Sequence, residues 1–292
     1  MSLSIDHFNL LTLNVGFAQL NGDWNWQHVR SPFVRIYYVT EGSASLRFFA
    51  SHKAAEGREV ALRPGHLYIV PPFALHSYHC DGPFAHYYVH FLELTHGHLG
   101  VIEQFDYPLE VPANPIDLAL FQRLHQIYPT LELPDSDPNF YDNHATLMRT
   151  ISESKGRSFA TRLEARGILY TLFSRFFRHA TERMHVSDDR IQRSIVQLRE
   201  RVFENPTVEE LAEDACLSSG HYIRSFKQET GLTPMAFLMD RKMEQAQLML
   251  ITSDLTISQI SDRLAFQDTS YFNRVFRRHL GLSPQQYRQQ AH

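Results

Sequence analysis

The chain has 292 residues, 43% hydrophobic and 21% charged, an ordinary balance for a globular protein of about two domains. Lys and Arg total 28 against 32 Asp and Glu, a formal charge of −4, which excludes a generally basic coat for nucleic acid and confines any DNA contact to a local patch. Two cysteines, Cys80 and Cys216, exclude a disulfide framework or zinc knuckle and read as small buried thiols. With no apolar run long enough to span a membrane and no basic leader around Asp6 and His7, the expectation is a cytoplasmic protein.

Residues 1 to about 112 read as short strands and turns. Phe33–Thr40 is β-branched and aromatic, and Glu41-Gly42-Ser43 turns it into Ala44–Ala50. Val60–Leu62, the turn pair Pro64-Gly65, Leu67–Val70 and the strand-breaking Pro71-Pro72 follow, and after Asp81-Gly82-Pro83 comes the strong strand Phe84–Glu93. Many short strands punctuated by Gly and Pro predict a small barrel or sandwich. Alternation puts His86, Tyr88 and His90 on one face of the last strand, opposite Tyr87, Val89 and Phe91. Arg35, Tyr37, Val39 and Glu41 share a face of an earlier one. An interior lined by Tyr, His and Arg, with Trp24 and Trp26 close by in sequence, is costly unless polar partners fill it, and hydroxyl-rich ligands suit it. The alternatives are a polar core whose tips satisfy one another, and a metal site built from His76, His79, His86, His90 and Glu93. The early His-x-His strand of a metal-binding barrel is missing, since only His52 lies between Arg35 and Leu62. No cofactor is expected.

From Pro115 to Arg183 the pattern turns helical. Leu118, Phe121, Leu124, His125 and Tyr128 form one stripe, and Pro129–Asn139 is a Pro- and Asp-rich loop. Leu163, Gly167, Tyr170, Phe173 and Phe177, with Leu169 and Phe176, form a broad apolar face for packing on the sheet or on a second copy. His185–Asp189 reads as a linker.

The last ninety or so residues say the same thing twice. Phe226-Lys227, Gly231-Leu232-Thr233-Pro234 and Phe237 return fifty residues later as Phe276-Arg277, Gly281-Leu282-Ser283-Pro284 and Tyr287. Upstream, Thr207-Val208 and Leu211 return as Thr256-Ile257 and Ile260, so one extra residue enters, placed by the alignment between Asp268 and Tyr271. Thr207 with Glu210, and Thr256 with Gln259, are capping boxes that start two short helices. Each is followed by a break, around Cys216–Ser218 and Ala265–Gln267, and by a second helix ending at Gly231 or Gly281, where a left-handed residue is needed. A spacer helix from about Pro234 to Ile251, about 27 Å long, joins the copies, with Met239, Met243, Ala246 and Leu250 as its stripe. It suits two reading helices roughly 34 Å apart on one face of duplex DNA.

Between Thr269 and His292 there is no Asp or Glu, while Arg274, Arg277, Arg278 and Arg288 all fall there. A helix presenting arginines and Asn273 can neutralise phosphates and read base edges; one copy alone would read as the solvated face of a bundle helix. Ser270, Asn273 and Arg274, with Ile223 and Arg224 in the first copy, are the expected base readers. Lys227, Arg277 and Arg278 are the expected phosphate holders. Ser219, Gly220, His221 and Thr269, at the helix starts, complete the candidate surface.

These residues carry a resemblance. Ile257, Ile260, Phe266, Tyr271-Phe272, Arg274, Phe276-Arg277 and Gly281-Leu282-Ser283-Pro284 with Tyr287-Arg288 match the signature of the AraC/XylS family of bacterial transcription regulators, over roughly Arg190 to Arg288. Ala265 stands where the family has a turn Gly, Ser261 replaces a small apolar Ala, and Gly220 takes a place where many members put a contacting side chain. The run Arg63-Pro64-Gly65 to Pro71-Pro72, His76 and Tyr78 resembles the cupin-like sensor of sugar-responsive members. The resemblance implies an α+β chain: a cupin-like ligand-sensing and dimerisation domain over 1–185, whose helical segment forms the dimer contact, then an all-α domain over 190–292 of two helix-turn-helix units joined by a long helix. It implies a regulator, not an enzyme, that binds double-stranded DNA as a homodimer and answers to a small, carbohydrate-like effector, with RNA polymerase as a further partner and no membrane. Arg35, Tyr37, Glu41, Tyr78, His86 and Tyr88 are the candidate ligand residues; Glu41 stands where the arabinose-type sensor has Arg. The competing readings are a metal-dependent cupin enzyme with a nucleic-acid-binding tail, and a ligand-independent activator with a collapsed barrel.

Overall fold

A computed structural model of the protein describes residues 8–49, 56–94, 100–142, 144–182 and 188–289. The chain divides into two compact units, one carrying Asp106–Thr181 and the chain up to Leu94, the other Glu182–Gln289 with Thr95–Phe105. His52, the linker residues His185–Ser187 and Ala50 at the end of an expected strand lie outside the described residues.

The first unit is built from β1 (Leu10–Asn21), β2 (Val34–Gly42), β3 (Ala44–Phe49), β4 (Arg58–Leu62), β5 (His66–Val70), β6 (Leu75–His79), β7 (Pro83–Glu93), β8 (Phe105–Asp106) and β9 (Glu110–Pro112). Five strands form an antiparallel sheet in the order β1-β7-β2-β5-β9, and a three-stranded sheet runs β4-β3-β6. Their inner faces meet in one core, with Leu46, Val60, Leu62 and Tyr78 from the smaller sheet against Tyr37, Val39, Tyr68, Val70 and Tyr88 from the larger. The expected barrel-or-sandwich fold is thus a cupin-like pair of sheets. β7 is buried on both faces, because its outer residues Tyr87 and Phe91 meet helical aromatics at Phe121 and Phe173.

Those helices are α1 (Pro115–Ile127), α2 (Pro138–Tyr141), α3 (His144–Gly156) and α4 (Phe159–Phe177), before β10 (Thr181–Glu182). In α1, Asn114 and Asp117 form a capping box; Asp117 is fully buried and takes the Arg175 guanidinium of α4 at 3.0 Å. The packed face of α4 is Ala165, Ile168, Leu169, Leu172, Phe173 and Phe176. Of the expected face, Leu169, Phe173 and Phe176 are buried and Tyr170 and Phe177 half-buried, while Leu163 and Gly167 are exposed, as is Phe159. The expected loop after α1 forms as far as Asp137, before α2 begins at Pro138, and it is held to the sheet. Its Leu131 carbonyl accepts from Val15 N–H at 3.1 Å, so the segment lies along the edge of β1.

The second unit is all helical: α5 (Asp189–Glu200), α6 (Val208–Asp214), α7 (Ser219–Thr230), α8 (Pro234–Thr252), α9 (Ile257–Arg263), α10 (Thr269–Leu280) and α11 (Pro284–Gln289). Both expected capping boxes form, at Thr207 and Thr256. Gly231 and Gly281 end α7 and α10 at φ +77° and +79°, a conformation a Cβ would strain. Two cores follow the two copies, one around Ile191, Leu211, Tyr222 and Phe226, the other around Met243, Ile260, Phe272 and Phe276.

Candidate functional site

In the first unit the polar side chains predicted from alternation do converge. Arg35, Tyr37, Tyr78, His86, Tyr88 and His90 are all buried, between 0% and 4% exposed. Trp24 lies over them, stacked on Tyr78 at 4.3 Å and on Phe84 at 5.5 Å, with His86 at 5.2 Å. A chain of hydroxyls runs through the interior: Tyr37 and Tyr78 share a hydrogen bond of 3.2 Å, and Tyr78 shares another of 2.8 Å with His76 Nε2. Arg35 Nη2 donates to Ser31 Oγ at 2.5 Å and to Asp142 at 3.2 Å, and Ser31 donates to the same carboxylate. Yet Arg35 Nε and Nη1, His86 Nδ1, His90 Nδ1 and Asp142 Oδ1 are buried with no hydrogen-bond partner among the described residues. Burial pushes the His76 and His86 imidazoles down to about 3 and His90 well below its usual value, so all three are neutral at pH 7. The same burial raises the Asp142 carboxyl to about 6 against the pull of Arg35.

Glu41 does not join this group. A register shift between Val39 and Glu41 breaks the alternation, and Glu41 is exposed at the end of β2. Sequence reasoning missed what the loop after α1 contributes: Leu133 N–H donates to Tyr88 Oη at 2.7 Å, and Asp142 and Tyr141 reach Arg35 from α2 and just beyond it. Gly16 makes room for this, since a Cβ there would stand 2.4 Å from Tyr88 Oη and 2.9 Å from Glu132 Cγ. The rival metal donors are not assembled. Among the described residues no group of three or more His, Cys, Asp or Glu could hold an ion, and His79 turns to Asn25 and Asp81.

In the second unit, α7 and α10 each follow a short helix through a turn whose key residue is left-handed, Cys216 at φ +53° and Ala265 at φ +55°. Both carry a Cβ in a region that favours glycine. Cys216 is consequently an exposed turn residue, not the buried thiol expected. These positions are forty-nine apart, but the N-caps Ser218 and Asp268 are fifty apart, so the extra residue sits within the second turn, before the cap. Tyr222 and Phe226, and Phe272, Val275 and Phe276, face the core. On the opposite side Gly220, His221, Arg224 and Lys227, and Ser270, Arg274, Arg277 and Arg278, are exposed, with Ser219, Ile223, Thr269 and Asn273 half-buried beside them. Arg274 lies 5.8 Å from the Tyr271 ring centroid. Arg288 leaves this set: it donates to the carbonyls of Leu250 and Leu255 and closes the end of α8. The arrangement is two basic helix faces on one rigid spacer, 19 residues or about 28 Å long.

The profile of the AraC-like ligand binding domain matches residues 16–173, more than half of the chain, and that of a helix-turn-helix domain matches residues 211–290. The chain belongs to the AraC family of transcription regulators. Like other members, this AraC-family protein joins a ligand-binding domain to a helix-turn-helix DNA-binding domain. It is 26% identical over 240 residues to the arabinose operon regulatory protein of Escherichia coli K12, covering 80% of this chain and 75% of that one. It is 33% identical over 94 residues to the MmsAB operon regulatory protein of Pseudomonas aeruginosa, covering 32% and 31% of the two chains. Among solved structures it resembles the DNA-binding domain of AdpA in complex with a target DNA, at 32% identity, TM-score 0.33, over 34% of this chain and 89% of that one. Its relatives are regulators of transcription, and no helix among the described residues is long and apolar enough to cross a membrane.

Proposed function

We propose that this AraC-family regulator binds a small hydroxylated molecule, a sugar or related metabolite, within its first unit, and that occupancy changes how a homodimer holds sequence-specific sites on DNA. The observation that carries the reading is the set of buried polar atoms on Arg35, His86 and His90 that have no partner among the described residues, beside the hydroxyls of Tyr37, Tyr78 and Tyr88. Leaving such groups unsatisfied is costly, and a ligand with several hydroxyls answers donors and acceptors together while its ring stacks on aromatics. The likeness to an arabinose operon regulator supports a sugar. On DNA, Ser270, Asn273, Arg274, Ile223 and Arg224 are the base readers, and Lys227, Arg277 and Arg278 the phosphate holders. Ile116, Phe159 and Leu163, exposed on α1 and α4, supply apolar surface for the second copy. RNA polymerase is the further partner, the cytoplasm the site of action, and residues 1–185 and 190–292 the two domains.

The test is a melting-temperature screen of the full chain against sugars, polyols and sugar acids. At a concentration one hundred times Kd, a specific ligand stabilises by about 2.7 kcal/mol, and Tyr88→Ala abolishes the shift while the 190–292 fragment still binds DNA. A screen in which no hydroxylated compound shifts the melt, with DNA binding intact, favours the ligand-independent reading, in which Trp24, already stacked on Tyr78 and Phe84, fills the interior itself.

A further inference from the structure

Lys242 sits mid-way along α8 and is 2% exposed. Its Nζ donates to the backbone carbonyl of Leu264 at 2.6 Å and to Asn205 Oδ1 at 2.8 Å, and stands 5.4 Å from the Phe266 ring centroid. The Asn205 amide donates onward to the carbonyl of Ala265. Leu264 is the C-cap of α9, and Ala265 is the left-handed residue of the turn into α10. One ammonium on the spacer helix thus holds one carbonyl of the bend between the halves of the second helix-turn-helix directly, and the other through Asn205. Burial lowers its pKa to about 8, so it is still charged at pH 7.

The first copy uses the matching position otherwise. The buried residues Ile191, Ser194, Ile195 and Leu198 of α5 repeat as Met243, Ala246, Gln247 and Leu250 of α8, which makes Arg190 the counterpart of Lys242. The Arg190 side chain is 42% exposed and forks onto Asp188, at 3.0 and 2.8 Å. A cation buried under one turn and paired at the surface beside the other is not a requirement of the backbone plan, because both turns adopt the same left-handed geometry. A buried charge costs desolvation that an apolar residue of similar length avoids.

We infer that Lys242 is a positioning residue for DNA reading: through Leu264 and Asn205 it fixes the bend from which α10 departs, and so sets the base preference of the second reading helix without contacting DNA. The inference rests on α10 being a reading helix.

Full-length wild type, Lys242→Met, Lys242→Arg and Asn205→Ala are put through binding-site selection from random duplex DNA and titrated on the selected site, with thermal melting alongside. Lys242→Met, close in length but uncharged, is expected to bind the wild-type site roughly tenfold more weakly or worse, and to lose preference only at the base pairs that Arg274→Ala also relaxes. Lys242→Arg, which keeps a cationic donor, restores that preference, and Asn205→Ala shows a milder form of the same loss. Unchanged preferences in Lys242→Met, or a loss shared equally by the half read by α7, overturn the inference. If Lys242→Met fails to melt cooperatively, Asn205→Ala decides on the same criteria. A wild type that selects no sequence overturns the reading role of α10 together with this one, whereas a selective wild type with an unchanged, folded variant overturns this one alone.

Discussion

The two helix-turn-helix copies have the same backbone and different fastenings. Each starts with a threonine capping box, bends at a left-handed residue that is not glycine, and ends its reading helix on a left-handed glycine. In the first copy the reading helix is tied through its core: Tyr222 shares a buried hydrogen bond of 2.6 Å with Ser194 of α5, and the N-cap Ser218 makes no side-chain cap bond. In the second copy Phe272 takes the place of Tyr222, Asp268 caps α10 by accepting from Tyr271 N–H at 2.6 Å, and Lys242 and Asn205 hold the bend. A repeat in sequence therefore specifies a path for the chain, while the few polar residues that differ decide where that path is stiff. The second copy is fixed at its bend and its cap, which on the proposed reading holds Asn273 and Arg274 in one orientation. The first, with Gly220 and Ile223 where the second has Ser270 and Asn273, has less to present.

The largest effects are expected at the proposed base readers. Arg274→Ala should cost about 1–3 kcal/mol on the operator and relax preference at one or two base pairs. Arg224→Ala should fall at the lower end of the same range, because its neighbours offer little base contact to lose. Operator titration checks both, and a larger loss at Arg224 would invert the comparison. Arg277→Ala should instead weaken all sequences alike and reduce the salt slope by about one, a result that a change of base preference in selection experiments would refute.

How far each copy could be read in advance follows from how local its determinants are. Caps, turn glycines and three- and four-residue spacing are set within a few residues, so α6 to α11 and the exposed faces of α7 and α10 were legible. Lys242 carried a visible signal, a charge four residues from Ala246 on the buried side of α8, but its meaning depends on Leu264 and Asn205, which only folding brings near. The sensor interior was legible as an alternating face of His86, Tyr88 and His90. Glu41 was misplaced because a bulge shifts register without a residue that announces it. Asp142 and Leu133 were invisible for a different reason: Leu133 lies in the Pro- and Asp-rich segment that reads as loop and Asp142 just beyond it, and their partners Arg35 and Tyr88 are 107 and 45 residues away in sequence, respectively.

Next in size are the bends. Left-handed geometry costs an L-residue about 1–2 kcal/mol, part of which glycine returns as extra freedom in the unfolded chain. Ala265→Gly and Cys216→Gly should each stabilise the second unit by about 1 kcal/mol, seen as a melting-temperature rise of a few degrees. Equal gains mean that the two bends carry the same strain. A smaller gain at Ala265 means that the Lys242 clamp compensates there.

The smallest expected effect tests why the first copy has a glycine on its reading helix at all. A Cβ built on Gly220 meets nothing within 4 Å, so the protein itself does not require the missing side chain. Gly220 is the second residue of α7, where helix propensity counts for less than in an interior turn, and Gly220→Ala should therefore raise stability by about 0.5 kcal/mol. A methyl group brings no hydrogen-bonding atom, so base preference should stay as it is and operator affinity should move less than about twofold, corresponding to roughly 0.4 kcal/mol. If affinity falls steeply while stability rises, the glycine is there for DNA: the α7 backbone approaches the duplex so closely that even a Cβ obstructs it. In that event the first copy reads by close backbone approach, and its shortage of polar side chains is a condition of its docking.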